Sequence, residues 1–223
     1  MQSYHTNNVQ EKIASVNYPS FSERLRPRTF NELLIPETSI AKFNAMTTTV
    51  NIPNMIFYGP PGTGKTTCAN LIGNSANIEM LYVNAAEVKD SGHVKKKIEG
   101  YVTALSLFAS SKIVLLDEAD CLPKNAQEAL RGFIERSISN CKFILTANEL
   151  SKIQNPLRSR CRPFSFEVAY SSLDASITKL TNMIQSRLKE IDVQIDQSII
   201  HQIVVMKFPD YRAIANEIEF EIM

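Results

Sequence analysis

The 223-residue sequence has only four cysteines, no long apolar run and almost no net charge, and each of these absences narrows its possible functions. The cysteines lack C-x-x-C spacing, so neither disulfides nor zinc ligation is indicated, and reduced thiols in a cytosol are expected. Neither a signal peptide nor a transmembrane segment is visible. Because the formal net charge is +1, any nucleic-acid site must come from a local basic patch.

Hydrophobic residues make up 44% of the chain, which is enough for a sizeable core. The length suits one α/β domain of about 150 residues with a smaller second domain. The patterns predict strands at 54–58, 79–84, 112–117, 142–147 and 163–167 and helices at 37–48, 65–75, 92–109, 125–137 and 156–160. Strands that alternate with helices are typical of an α/β fold, here a parallel five-stranded sheet with helices on both faces.

The pattern changes near Val168, where apolar residues begin to recur every three or four positions. The segment 171–174 reads S-S-L-D and resembles a capping box, S-x-x-D, at the start of a helix. Two more helices are predicted at 196–207 and 209–222. We therefore expect a flexible arm over 1–21, an α/β domain over 22–167 and a small all-α domain over 168–223.

A glycine-rich run between a predicted strand and a predicted helix is the most informative segment. It reads Gly59-Pro60-Pro61-Gly62-Thr63-Gly64-Lys65-Thr66 and fits G-x-x-x-x-G-K-[ST], the Walker A phosphate loop. In such a loop successive backbone N–H groups turn inward and bind phosphate oxygens. Lys65 is expected to contact the β- and γ-phosphates of ATP and Thr66 to bind Mg²⁺, and the predicted nucleotide site also includes Thr67.

Polar residues follow two of the predicted strands, at the sheet edge where open α/β folds bind ligands. Asp117 is expected to hold a water of the Mg²⁺ shell, and Glu118 to orient or deprotonate the attacking water. Asn148 is expected to hold that water or the γ-phosphate. Two strand-end acids can also be solvated loop residues, and Asn is common in turns at strand ends.

Two arginines are candidates for contact with a γ-phosphate. Arg160 is a candidate arginine finger that would enter the site of a neighbouring subunit, because its guanidinium fork can neutralise developing charge. Arg212 begins the last predicted helix, where a cation is unfavourable unless an anion is near, and ATP would supply that anion. For both residues the alternative is a solvated surface arginine.

Three consecutive lysines in the first turn of predicted helix 92–109 suggest a missing polyanion such as a DNA backbone. The helix's apolar residues lie on the opposite side, so the lysines are expected to point outward. A lysine run is also often just a solvated face. The predicted DNA-contacting residues are Gly92, His93, Lys95, Lys96, Lys97 and Lys124.

Taken together, these residues resemble the AAA+ clamp-loader ATPases, in particular the large subunits of T-even-type phage loaders, which are related to replication factor C small subunits. The similarity covers roughly residues 22–215. It is carried by Ser159-Arg160-Cys161, which matches the family's S-R-C motif, by Gln127 and Ala129-Leu130-Arg131, and by the sensor-2-like segment 208–212. Residues 23–27 resemble the family's E-K-Y-R-P box, with Leu25 in place of the usual tyrosine, and 33–36 match the next part of the adenine pocket.

The resemblance implies an AAA+ ATPase domain over 22–167, a helical lid over 168–223, and an adenine pocket that includes Glu23, Arg24, Leu25 and Leu34. It also implies an Mg²⁺-dependent ATPase that loads a sliding clamp onto primer–template DNA in the cytoplasm, stimulated by both. The implied partners are the clamp, the DNA, a small clamp-loader subunit and other copies of the chain in a ring or spiral. The sequence ends at Met223, where the lid is expected to finish, so the family's collar domain is expected to be absent.

Two other functions fit parts of the pattern. One is a different AAA+ replication motor or helicase loader, against which the S-R-C motif counts. The other is a non-catalytic nucleotide-binding scaffold, against which the intact set of Lys65, Thr66, Asp117 and Glu118 counts.

Overall fold

The computed structural model describes residues 20–75, 78–104, 111–137 and 141–223. The chain divides into two compact units: the first is Thr29–Glu167, and the second joins the described residues before Thr29 to Val168–Met223. The boundary after Glu167 falls where the sequence pattern changes. Residues 22–28, which we expected in the α/β domain, instead group with the later helices. Most of the predicted arm at 1–21 lies outside the described residues.

The first unit contains a five-stranded parallel sheet among its described residues, as the sequence predicted. Its strands are β1 (Met55–Tyr58), β2 (Ile78–Asn84), β3 (Ser111–Asp117), β4 (Lys142–Ala147) and β5 (Arg162–Ser165). Their spatial order is β2-β3-β4-β1-β5. The central strands β3 and β4 read as continuous apolar runs because both faces of the sheet are covered by helices.

The helices of the first unit cover the sheet on both sides. They are α2 (Glu37–Thr49), α3 (Lys65–Gly73), α4 (Ser91–Thr103), α5 (Lys124–Arg136) and the short α6 (Asn155–Arg158). One apolar core forms under α2 and α3 and includes Phe43 and Ile72. The other forms under α4 and α5 and includes Ile98 and Leu130. The carboxyl ends of β1, β3 and β4 are thereby fixed side by side, which positions the candidate site.

Helix α4 starts one residue earlier and ends sooner than the predicted helix 92–109. Ala104 has extended backbone, and the Lys112 ammonium donates to the Ala104 carbonyl oxygen at 2.7 Å and to that of Tyr101. A cation that binds the last carbonyls is favourable at the negative end of the helix dipole. Residues 105–109 of the predicted helix lie outside the described residues.

The second unit is helical in its described part. It contains α1 (Phe21–Arg24), α7 (Leu173–Glu190), α8 (Gln197–Lys207) and α9 (Tyr211–Glu221), and α1 packs on α9. Of the apolar face that the sequence predicts for α7, Ile177, Leu180, Ile184 and Leu188 are all buried, whereas Ile191, the last predicted member, is the C-cap and is half-buried.

The predicted capping box is wrong. Ser172, not Ser171, is the N-cap of α7, and its hydroxyl donates to the Ala169 carbonyl oxygen at 3.0 Å instead of accepting from the helix. A preceding helical turn over Tyr170–Ser172 draws the serine away from the capping role. Among the described residues no helix is both long and apolar enough to cross a membrane.

Candidate functional site

The glycine-rich loop joins β1 to α3 in a shape that side chains would disrupt. Gly59 and Gly64 have φ angles of 141° and 91°, a region that L-residues rarely adopt. A Cβ atom on Gly59 would lie 3.1 Å from the Phe166 carbonyl carbon, and one on Gly64 would lie 3.0 Å from Leu33 Cδ2. The loop therefore needs glycine at both positions and leads directly into the N-terminus of α3, where backbone N–H groups favour a phosphate.

Lys65, the first residue of α3, is buried with its ammonium group held by oxygen atoms of the loop. Its Nζ donates to the carbonyl oxygens of Gly59 at 2.8 Å and Pro60 at 2.7 Å. It also donates to Asn148 Oδ1 at 3.0 Å. The fold thus brings together two predicted site residues that are 83 positions apart, and a cation and an amide face the same point at the sheet edge.

Asp117, the last residue of β3, is surrounded by three hydroxyl groups. Its Oδ1 accepts from Thr66 Oγ1 and Thr146 Oγ1, each at 2.6 Å. Its Oδ2 accepts from the Tyr82 hydroxyl at 3.1 Å. A hydroxyl and a carboxylate oxygen this close are the oxygen ligands that Mg²⁺ prefers, so Thr66 and Asp117 fit the ion that the motif implies.

Glu118 follows directly and adopts a left-handed backbone conformation with φ of 59°. Such a conformation costs a non-glycine residue about 1–3 kcal/mol and tends to occur at functional sites. Its N–H donates to Thr146 Oγ1 at 3.0 Å, which stabilises the turn, and its side chain is exposed. A carboxylate that is held beside Asp117 but faces solvent is suited to receive a proton from water.

Three residues around these groups were not assigned a role from the sequence. Thr146 bonds both Asp117 and the Glu118 backbone. Asp120 Oδ2 accepts from the N–H groups of Asn148 at 3.1 Å and Glu149 at 3.2 Å, and so ties the loop after β3 to the end of β4. The position of Asp120 in the D-E-A-D run could have identified it as a site residue from the sequence. No sequence pattern distinguished Thr146 or Tyr82.

The Tyr82 phenol lies on the edge strand β2 and is 51% exposed. The pKa of Tyr82 is raised to about 12. Desolvation is the largest cause, and the charge and hydrogen bond of Asp117 raise it further. The hydroxyl is therefore a donor at neutral pH and remains protonated beside the carboxylate.

Arg160 lies just after α6 and is held within its own chain. Its guanidinium pairs with the Glu135 carboxylate of α5 and donates to Ser159 Oγ at 3.2 Å and to the Pro156 carbonyl oxygen. The side chain is partly exposed, so it is available to a neighbouring molecule after those contacts are exchanged. Its proposed role in trans stays a prediction.

Arg212 and the residues of the expected adenine pocket are divided between the two units. Glu23, Arg24, Leu25 and Arg212 lie in the helical unit, while Leu34 is buried in the α/β unit. The dipole argument for Arg212 is weakened, because Asp210 already supplies an anion: its Oδ1 accepts from the Arg212 backbone N–H at 2.9 Å. Nucleotide contact by these residues stays a prediction.

The lysine run lies in the second turn of α4, not in the first as we expected, because the helix begins at Ser91 with Asp90 as its N-cap. Lys95 Nζ lies 3.9 Å from Glu99 Oε2, and Lys97 Nζ lies 2.9 Å from Glu87 Oε2. Lys96 is exposed and has no ion pair within the described part of the chain. The helix dipole therefore gives no reason to expect a bound anion beside these lysines. DNA contact by them, by Gly92 and His93, and by the exposed Lys124 at the start of α5 stays a prediction.

A strand, a glycine loop and a helix that begins with Lys-Thr, in the same parallel sheet as a strand that ends in Asp117 and is followed by Glu118, define the P-loop nucleotide-binding α/β proteins. The model of the ATPase family associated with various cellular activities (AAA) matches residues 55–168, and the chain belongs to this family.

Two relatives align with most of this chain at about one third identity. The chain is 32% identical over 204 residues to the sliding-clamp-loader large subunit of Enterobacteria phage T4, covering 88% of this chain and 63% of that protein. It is 34% identical over 185 residues to the replication factor C small subunit of Staphylothermus marinus, covering 80% and 56%. The chain thus spans less than two thirds of either relative.

The fold is also similar to a solved structure of the Thermotoga maritima RuvB Holliday junction branch migration motor. The TM-score is 0.66 at 20% identity, over 86% of this chain and 63% of that one. At this identity the likeness supports the fold alone.

Proposed function

We propose that this chain is the ATPase subunit of a DNA polymerase sliding-clamp loader, and that it binds and hydrolyses ATP to load a clamp onto primer–template DNA. The observation that carries the ATPase proposal is the convergence of Lys65, Thr66, Asp117 and Asn148 at one sheet edge. The choice of a clamp loader is supported by the names of the relatives and by the S-R-C motif.

In the proposed reaction the loop N–H groups and Lys65 bind the phosphates of ATP. Asn148 orients the attacking water, and Glu118 accepts a proton from it as the water attacks the γ-phosphorus atom. The bond between that atom and the β–γ bridging oxygen breaks, and ADP and phosphate are the products. Bound Mg²⁺, held by Thr66 and through water by Asp117, would neutralise phosphate charge. Arg160 of a neighbouring copy would stabilise the charge that develops on the transferred phosphoryl group.

The proposed energy coupling is allosteric. ATP bound between subunits would favour a spiral that holds and opens the clamp, and primer–template DNA would align the catalytic groups. Hydrolysis would then favour a state that releases the clamp on DNA. The proposed partners are the clamp, the DNA, a small clamp-loader subunit and further copies of this chain.

The proposal is tested by ATP turnover of the purified chain, together with its small-subunit partner, with and without primed DNA and the sliding clamp from the same source. We expect Mg²⁺-dependent hydrolysis that rises when DNA and clamp are both present. The Lys65→Ala variant should lose tight ATP binding, because its ammonium contact to the phosphates has no substitute at this position. Hydrolysis that responds to DNA but never to the clamp would contradict the clamp-loader proposal and favour another AAA+ replication motor.

A further inference from the structure

The Tyr82 hydroxyl reaches the strand-end carboxylate although the side chain is half exposed. Asp117 Oδ1 is shared by the hydroxyls of Thr66 and Thr146, whereas Tyr82 donates to Oδ2 at 3.1 Å. Within the described part of the chain, no other side chain donates to Oδ2. The two carboxylate oxygens of Asp117 therefore have different partners. Residues of α3 and β4 hold Oδ1, and a residue of the edge strand β2 holds Oδ2.

The register of the sheet explains why a tyrosine reaches this point. In the parallel pairing of β2 with β3, Tyr82 lies opposite Leu115, and Asn84 lies opposite Asp117. Side chains two residues apart on a strand project from the same face, so Tyr82 and Asp117 are diagonal neighbours on one face of the sheet. Such diagonal neighbours are within reach of a long aromatic side chain.

We propose that Tyr82 is a positioning residue that fixes the Asp117 carboxylate for magnesium binding, an inference that rests on the proposed nucleotide site. The terminal torsion of an aspartate side chain is broad, so a carboxylate without outer partners samples many orientations. Mutation of the outer partners that orient metal ligands typically costs about 10–100-fold in metal affinity, and Asp117, which is proposed to hold Mg²⁺ through water, is expected at the lower end of that range. Tyr82 donates one hydrogen bond to this carboxylate and has no place in the predicted phosphate contacts.

The Tyr82→Phe variant tests this role because it removes one oxygen atom and keeps the ring. We expect the Mg²⁺ concentration for half-maximal tightening of nucleotide binding to rise by about tenfold. The affinity for a fluorescent ATP analogue in excess EDTA should stay within about twofold of the wild type. Both values come from fluorescence titrations, without any need for hydrolysis.

Tyr170→Phe is the matched control, since Tyr170 is 91% exposed and lies in the other unit, and its Mg²⁺ titration should equal that of the wild type. Thermal unfolding of both variants shows whether the fold is intact. An unchanged Mg²⁺ titration in Tyr82→Phe would overturn the inference. So would an equal loss of affinity with and without Mg²⁺, because that pattern indicates a merely structural role. If the wild type shows no Mg²⁺-dependent nucleotide binding, the proposed ATPase function fails as well.

Discussion

At the residue scale, the site is a set of short hydrogen bonds that join polar side chains from four different segments. Thr146 has a central place because its hydroxyl donates to Asp117 and accepts from the backbone of Glu118. One small side chain thereby contacts both the carboxylate proposed to hold the metal ion and the left-handed backbone of the proposed base. These roles depend on neighbours in space, and they separate the two adjacent acids: Asp117 is held by hydroxyls, and Glu118 is exposed.

The Glu118→Gln variant tests this division of roles. We expect ATP turnover to fall by about 10²–10⁴-fold, because the amide keeps the shape of the side chain but cannot accept a proton. ATP binding should stay within about twofold of the wild type, since Glu118 is not predicted to contact the phosphates. Turnover and equilibrium binding are measured on the same preparation.

Glu128→Gln is a suitable control, because Glu128 is also exposed but lies on α5, and its turnover should match the wild type. Turnover of Glu118→Gln at the wild-type rate would show that another residue is the base.

At the scale of the secondary-structure element, the residue at which α4 begins decides whether its lysines lie at the positive end of the helix dipole. The effect of the helix dipole falls off within the first turn, so lysines in the second turn do not require a bound anion. Two of the three are also near acids of their own chain. The case for DNA contact therefore rests on exposure and on the resemblance to clamp loaders, and Lys96 is the lysine whose charge is least compensated.

Replacing Lys95, Lys96 and Lys97 together with alanine should weaken DNA binding about equally for unrelated sequences, because phosphate contacts carry no base information. Each lost phosphate contact should lower the slope of log affinity against log salt by about one unit. Among the three single substitutions, Lys96→Ala should cause the largest loss of DNA affinity. Binding to primed DNA is measured at several salt concentrations.

The Lys42→Ala variant removes the same charge from an exposed position on α2 and should leave the salt slope unchanged. Unchanged affinity and salt slope in the triple variant would identify the lysine run as a solvated face.

At the scale of the whole molecule, the proposed reaction uses an arginine, Arg160, that would act on the ATP of a neighbouring copy. Arg160 is bound to Glu135, Ser159 and Pro156 of its own unit. To act on a neighbour's ATP it must exchange these contacts for a phosphate, which a guanidinium fork binds strongly. The proposed activity is therefore a property of an assembly.

Arg160→Ala should reduce hydrolysis only where subunits assemble. In mixtures, a mutant subunit should silence the adjacent wild-type site and leave its own ATP binding intact. The expected loss in the assembly is about 10³–10⁵-fold at each affected site, which is the range for arginine fingers. Arg158→Ala, two residues earlier, is the control and should retain activity. Loss of the mutant's own hydrolysis in a monomer would contradict action in trans.

The sequence by itself determined the strands, most helices and the phosphate loop of this protein. These features depend on local patterns: apolar runs in β3 and β4, helical spacing in α7, and glycines at positions whose φ angles exclude side chains. The parallel sheet and the nucleotide loop were predicted because each signal lies within a few residues of chain. The predicted capping box and the placement of the lysines in the first turn were wrong, because both depend on where a helix starts, and neighbouring turns decide that.

Only the tertiary structure decided which side chains meet at the site. The pairing of β3 with β4 and of β1 with β4 brings Lys65 to Asn148, and Asp120 to the loop after β4. The pairing of β2 with β3 brings Tyr82 to Asp117. These partners are 28 to 83 residues apart in the chain. Strand register sets their contacts, and register follows from packing the whole sheet between its two helical layers, which no local pattern encodes.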